Sequence, residues 1–140
     1  MTIDTTPPSA TLSLSDTNLT SNETATLTVT FSEETLGLTK EDFTVTNGTL
    51  SDMVTSDEGL HWTGTFTPNA GVQAFGNAIT FNQAGVTDFA LNPGVGSVSL
   101  NNLWIDTLGP AAPTITLSDT DLTAGQTAVV TINFADMVAQ

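Results

Sequence analysis

"ATLTVTF", residues 25–31, decides the fold. Ala25, Leu27, Val29 and Phe31 fall on one side of an extended chain, and Thr26, Thr28 and Thr30 on the other. A period of two belongs to a β-strand with one face buried and one face wet. Working outward, similar alternation recurs at Leu12/Leu14, Phe43/Val45, Leu60/Trp62/Phe66, Ile79/Phe81 and Val98/Leu100. Turn-forming clusters separate these runs: "SDTN", "TNG", "SDEG", "TPNAG" and "LNPG". The stretch "GTLSDMVTSDEGLHWTGTF", residues 48–66, reads as a hairpin turning at Asp57 to Gly59. No stretch carries helical periodicity. The expectation is an all-β antiparallel sandwich.

About seven short strands in roughly 100 residues suit a sandwich of immunoglobulin type. The chain has no cysteine, so packing rather than a disulfide must join the sheets, and thiolate metal sites and Cys nucleophiles are excluded. Hydrophobic residues make up 39%, enough for a core. Charge is one-sided: fifteen Asp and Glu face the single Lys40, for a formal net charge of -14. Such a chain repels nucleic-acid phosphates and anionic lipid, and it attracts cations. No apolar run approaches the roughly 20 residues needed to cross a bilayer. The first residues lack the basic-then-apolar pattern of a signal peptide. If this material is exported, its address lies elsewhere in a longer chain.

The chain also repeats itself. "LSDTNLTSNETATLTVTF", from Leu14, returns as "LSDTDLTAGQTAVVTINF", from Leu117, at a spacing of 103 residues and with more than half of the positions identical. Where the copies differ, the strand face is kept: Leu27 becomes Val130, and Val29 becomes Ile132. One domain is therefore expected over residues 1–105, followed over 106–140 by a linker and the first two strands of a truncated second repeat. Two strands whose inner face carries Ala128, Val130, Ile132 and Phe134 cannot bury that face alone. Such a stub is expected to be disordered, or to pair with the first domain or with another copy's open edge, giving self-association.

"IDTTPP", "LSDTNLTSNETATLTVTFSE", "FTVTNGTLSD", "WTGTFTPNAGV", "NAITFNQAGVTD" and "NNLWIDT" occur in order over residues 3–106. Together they resemble the bacterial immunoglobulin-like repeats of giant surface adhesins, including large repeats-in-toxin adhesins and biofilm proteins. That resemblance implies an extracellular stalk repeat on a bacterial cell surface. Its partners would be neighbouring repeats of the same chain, and calcium near the domain junctions would make the string rigid.

Calcium takes six to eight oxygen ligands from carboxylates, carbonyls and water. In an immunoglobulin sandwich the start of the first strand, the B–C loop and the F–G loop gather at one pole. Asp4 precedes the first strand, Glu33 and Glu34 follow the second, and Asp88 and Asn92 sit in the expected F–G loop. Asp4, Glu33, Asp88 and Asn92 are thus the candidate calcium ligands, with Glu34 an alternative to Glu33. Turn Asp and Asn also commonly cap backbone N–H groups, which is the simpler role for any one of them. The family pattern in the F–G loop resembles Asp-x-Ala-Gly-Asn. Leu91 stands here where Gly is usual, and Leu would strain a left-handed backbone. At the opposite pole Asp16, the linker Asp106 and Asp136 form a second candidate set for a junction calcium. Asp16 has a competing role as a turn cap.

No enzyme constellation appears. His61 is the single histidine, and no Gly-x-Ser-x-Gly elbow accompanies the serines. The chain is expected not to be an enzyme. A rival expectation is a module that itself binds a carbohydrate or receptor, which an exposed aromatic cluster around Trp104, Phe75 or Phe89 would favour. Another is an accessory domain of a secreted enzyme.

Overall fold

A computed structural model describes residues 2–110 and 112–134. The chain divides into two compact units, one running to Leu108 and the other beginning at Gly109.

The first unit holds ten strands: β1 Ala10–Leu14, β2 Asn18–Thr20, β3 Ala25–Phe31, β4 Thr35–Leu36, β5 Phe43–Val45, β6 Gly48–Leu50, β7 His61–Pro68, β8 Gln73–Asn82, β9 Thr87–Asp88 and β10 Ser97–Asp106. Two four-stranded sheets, ordered β1-β3-β7-β6 and β2-β10-β8-β5, make the sandwich, and β4 pairs with β9 beside them. The described residues include no α-helix; Lys40–Asp42 and Gln83–Gly85 are short 3₁₀ turns. The all-β sandwich expected from the alternation is the fold observed.

Strand β3 lies inside its sheet, antiparallel to β1 on one side (Leu12↔Val29) and to β7 on the other (Val29↔Trp62). Its residues at period two, Ala25, Leu27, Val29 and Phe31, are all buried. From the facing sheet Leu19, Ile79, Phe81, Leu103 and Ile105 complete the core. Phe81 meets the edge of Phe31 at 5.9 Å between ring centroids and stacks on Phe43 at 4.8 Å. The Phe31–Phe81 contact joins the sheets where antibody domains use a disulfide, and the Phe43–Phe81 stack lies within one of them.

One strand departs from a purely antiparallel plan. β2 runs parallel to β10, with Leu19 opposite Ile105. The chain leaves the first sheet after Leu14 and bends at Asp16, whose Oδ1 accepts from Asn18 N at 2.9 Å. Crossing over places Leu19 in the core from the opposite sheet, fully buried, and gives the outer edge of β10 a partner.

The second unit contains β11 Thr114–Leu117 and β12 Val130–Asn133, an antiparallel pair with Ile115 opposite Ile132 and Leu117 opposite Val130. Every residue of both strands is exposed.

Candidate metal centre

Three chain segments meet at one pole of the sandwich. Asp4 lies before β1, Glu33 lies between β3 and β4, and Asp88 ends β9. The two-residue β4–β9 ladder pairs Thr35 with Asp88, which draws the segment after β3 onto the loop between β8 and β10. Gln83 ties that loop to the first strand: its Oε1 accepts from Ala10 N and its Nε2 donates to Val95 O, both at 2.8 Å. Gln83 is buried, two residues beyond Phe81 and in phase with the inward positions Ile79 and Phe81. That phase was the signal in the sequence for its role.

Behind the pole, Thr35 Oγ1 donates to the Gly59 carbonyl at 2.6 Å and accepts from Trp62 Nε1 at 3.0 Å. Gly59 has φ +84, and a Cβ there would overlap the Thr35 carbonyl oxygen. Only glycine suits that turn.

Carboxylate oxygens of Asp4, Glu33 and Asp88 lie within 4.8 Å of one another. Asp4 is exposed, Glu33 half-buried and Asp88 buried. Asp4 and Glu33 line a shallow concavity of about 350 Å³ with Glu34, Leu60, Phe89 and Ala90. Asp88 is braced from inside the loop: Asn92 N donates to its Oδ1 at 2.8 Å and Asn92 Nδ2 to its Oδ2 at 2.8 Å. Asn92 Nδ2 also donates to the carbonyl of Asp4 at 3.0 Å. Asn92, expected as an oxygen ligand, thus stands here as a clamp that joins Asp4 to Asp88 and turns its amide nitrogen toward them. Asp4 Oδ1 accepts from Thr6 N at 2.9 Å, which fixes the entering chain.

Leu91 takes φ +67, the left-handed backbone that its place in the loop called for. Its N–H donates to Asp88 O at 3.0 Å, and its side chain is 70% exposed. The turn that presents Asp88 to Asn92 therefore carries backbone strain.

The cluster is electrostatically tense. Glu33 is held above the ordinary carboxyl value, first by desolvation, then by the negative charges of Asp4 and Asp88 and by a shared hydrogen bond with Asp4. Burial pushes Asp88 up as well, yet hydrogen bonds from the Asn92 side chain and backbone and from the Ala90 backbone outweigh it and hold Asp88 low. The result is one firmly ionised carboxylate beside one that charges reluctantly. A cation reverses that penalty for Glu33. Calcium–oxygen distances of about 2.3–2.6 Å put oxygens on opposite sides of one ion about 5 Å apart, so carboxylate oxygens within 4.8 Å of one another are close enough to share a single cation.

Of the second candidate set, Asp16 and Asp106 lie among the described residues. Asp16 is exposed and caps the turn into β2. Asp106 ends β10 opposite Thr20. Asp136 lies outside the described residues. Among the described residues, Asp4, Glu33 and Asp88 are the one group of three potential metal-ligating side chains brought together.

Other singled-out residues are placed as follows. Trp62 and Phe66 lie on β7 and Phe81 on β8; Phe66 and Phe81 are fully buried. His61 is exposed, with Nδ1 2.6 Å from Asp57 Oδ2. Phe75 and Trp104 are 77% and 42% exposed and meet edge to face at 5.3 Å.

The family model described as "Bacterial Ig-like domain" matches residues 4–105, more than two thirds of the chain. No curated protein matches it.

Proposed function

Because the chain belongs to the bacterial Ig-like domain family, we propose that it is a non-catalytic extender repeat of a bacterial surface adhesin, stiffened by calcium at Asp4, Glu33 and Asp88. Modules of this family are usually extracellular or surface-associated. Among the described residues no helix is long and apolar enough to cross a membrane. The observation that carries the reading is the convergence of three carboxylates from the start, the first third and the F–G loop of the domain within 4.8 Å. Without a cation the three carboxylates repel one another, and the Asn92 clamp between Asp4 and Asp88 works against that repulsion. With one, the entry to the domain is cross-linked to the F–G loop, and a string of such domains resists bending.

The test is a thermal melt in calcium, in excess EGTA and in magnesium. With a dissociation constant of about 0.1–1 mM, as extracellular calcium modules have, about 5 mM calcium adds about 1–2.3 kcal/mol to the folded state. For a domain of this size that is a rise of about 4–10 °C. A calcium-specific rise supports the reading; equal melts in calcium and EGTA remove the metal from it and leave charge serving solubility.

The exposed Phe75–Trp104 pair favours a second reading, a module that binds neutral carbohydrate. Aromatic faces stack on sugar rings, and Thr80 and Ser99, whose hydroxyls lie 2.8 Å apart, belong to the same sheet. The charge of -14 disfavours anionic sugars. Quenching of Trp fluorescence by neutral oligosaccharides, lost in Trp104→Ala, supports it; no quenching rules it out.

A further inference from the structure

Asn47–Gly48 is the single Asn-Gly pair in the sequence, and it lies in the turn that carries the chain from β5 in one sheet to β6 in the other. Packing demands both residues. Asn47 is exposed and holds φ +55, a left-handed backbone that Asn tolerates better than most residues with a Cβ. At Gly48 a Cβ would overlap the ring of Phe66, which is fully buried. The same pair is chemically labile, because a glycine nitrogen meets little steric hindrance as it approaches the carboxamide of a preceding Asn.

The Gly48 nitrogen is free of the sheet ladder. Asn69 N donates to Asn47 O and Ser51 N donates to Thr65 O, both at 2.9 Å, so residues 47 and 51 bond toward β7. Antiparallel pairing alternates, which points the Gly48 N–H to the outer edge of β6, where no strand pairs with it among the described residues.

The Asn47 carboxamide is a latch. Its Nδ2 donates to Asn77 Oδ1 at 2.6 Å. Asn77, 4% exposed, turns its own Nδ2 to Ala74 O at 2.9 Å and to Leu103 O at 3.2 Å. Carbonyls only accept, so Asn77 must face them with its nitrogen and Asn47 with its oxygen, and Asn47 must answer with a donor. These bonds stitch an irregular place in the sheet. Between the pairs Leu103↔Asn77 and Ile105↔Ala74, Phe75 and Gly76 stand opposite Trp104 alone, which makes a bulge. The Leu103–Trp104 peptide is held at both of its polar atoms: its carbonyl accepts from Asn77, and its N–H donates to Thr17 O at 2.8 Å.

We propose that Asn47 is a deamidation site whose conversion releases the bulge that presents Phe75 and Trp104. Gly48 N attacks Asn47 Cγ; the N–Cγ bond forms, the Cγ–Nδ2 bond breaks, and ammonia departs with the proton of the Gly48 amide. Water then opens the cyclic imide at either carbonyl and leaves aspartate, or its β-linked isomer, in place of Asn47. The product is ionised at neutral pH and has no hydrogen to donate. Its oxygens meet Asn77 Oδ1; if the Asn77 amide flips, its own oxygen meets two carbonyls instead. Either arrangement sets acceptor against acceptor at a buried side chain. Hydrolysis does not restore the amide, so the change runs one way.

The experiment ages the full folded chain in mildly alkaline buffer with EGTA, which keeps the outcome independent of the calcium proposal. Peptide mass mapping follows each Asn, and amide exchange follows the Trp104 N–H. Asn47 converts ahead of every other Asn, and exchange at Trp104 quickens by about 10-fold or more while that at Val29, in the other sheet, holds. Asn47→Asp shows the fast Trp104 exchange without ageing. Asn47→Gly suits the left-handed turn and has no carboxamide, so it also exchanges fast from the start and does not change with age. Should Asn47→Asp fail to fold, the aged parent and Asn47→Gly give the same comparison. An Asn47 that stays intact while other asparagines convert overturns the proposal, as does conversion confined to the urea-unfolded chain. Unchanged Trp104 exchange in the converted chain overturns it too, because the latch then holds nothing.

Discussion

Replacing Leu91 by glycine isolates the backbone strain stored beside the candidate metal centre. Leu91 holds φ +67 so that its N–H can reach Asp88 O while Asp88 faces Asn92. A left-handed conformation costs a residue with a Cβ about 1–2 kcal/mol. Glycine removes that cost but adds about 0.5–1 kcal/mol of chain entropy in the unfolded state. The side chain is 70% exposed, so little burial is lost with it. The net expectation is a gain of about 0.5–1 kcal/mol, or about 2–5 °C in Tm for a domain of about 100 residues. Leu91→Ala is the control: it keeps the strain, discards the side chain and should stay within about 0.5 kcal/mol of the parent. Chemical denaturation with urea, run in EGTA, measures both variants. A glycine variant no more stable than the parent, or an alanine variant that gains as much, refutes the claim that the loop is strained at this backbone position.

Three further outcomes follow from the geometry. Glu33→Gln should raise Tm in EGTA, because it removes a carboxylate crowded by Asp4 and Asp88, and should shrink the calcium-induced rise; paired melts check that the two effects have opposite signs. The pH dependence should have two parts, measured by urea titration in EGTA. Hydrogen bonds from the His61 backbone and ring hold Asp57 down to about 2 from an ordinary 3.8, so the stability that it lends is complete above 3.8 and is lost as pH falls toward 2. Glu33 runs the other way: with its value raised above 4.5 the folded state binds the proton first, and acidification through that region stabilises the calcium-free domain. Thr35→Val removes the hydroxyl shared by Gly59 O and Trp62 Nε1 and should cost about 1–2 kcal/mol in urea unfolding.

Alternation alone located the strands that build the core, because a half-buried strand must change face at every residue. Leu27, Val29, Phe66, Ile79 and Phe81 were legible as interior for that reason, and all are fully buried. The repeat spacing of 103 residues was equally legible, and the shared register of β1–β3 and β11–β12 follows it. Position in the chain, together with the sandwich plan, put Asp4, Glu33 and Asp88 at one pole. Other features were decided by contacts between residues remote in sequence. The parallel pairing of β2 with β10 depends on the space that Leu19 fills beside Ile105, and no local pattern encodes it. Asn92 became a clamp because folding carried the Asp4 carbonyl to within 3.0 Å of its amide. Phe75 and Trp104 form a pair because neighbouring strands with irregular register bring two outward positions together. A strand's inner and outer faces are local properties of its side chains, readable from their order. Which atoms meet across a sandwich depends on how the sheets close, and only the folded chain sets those distances.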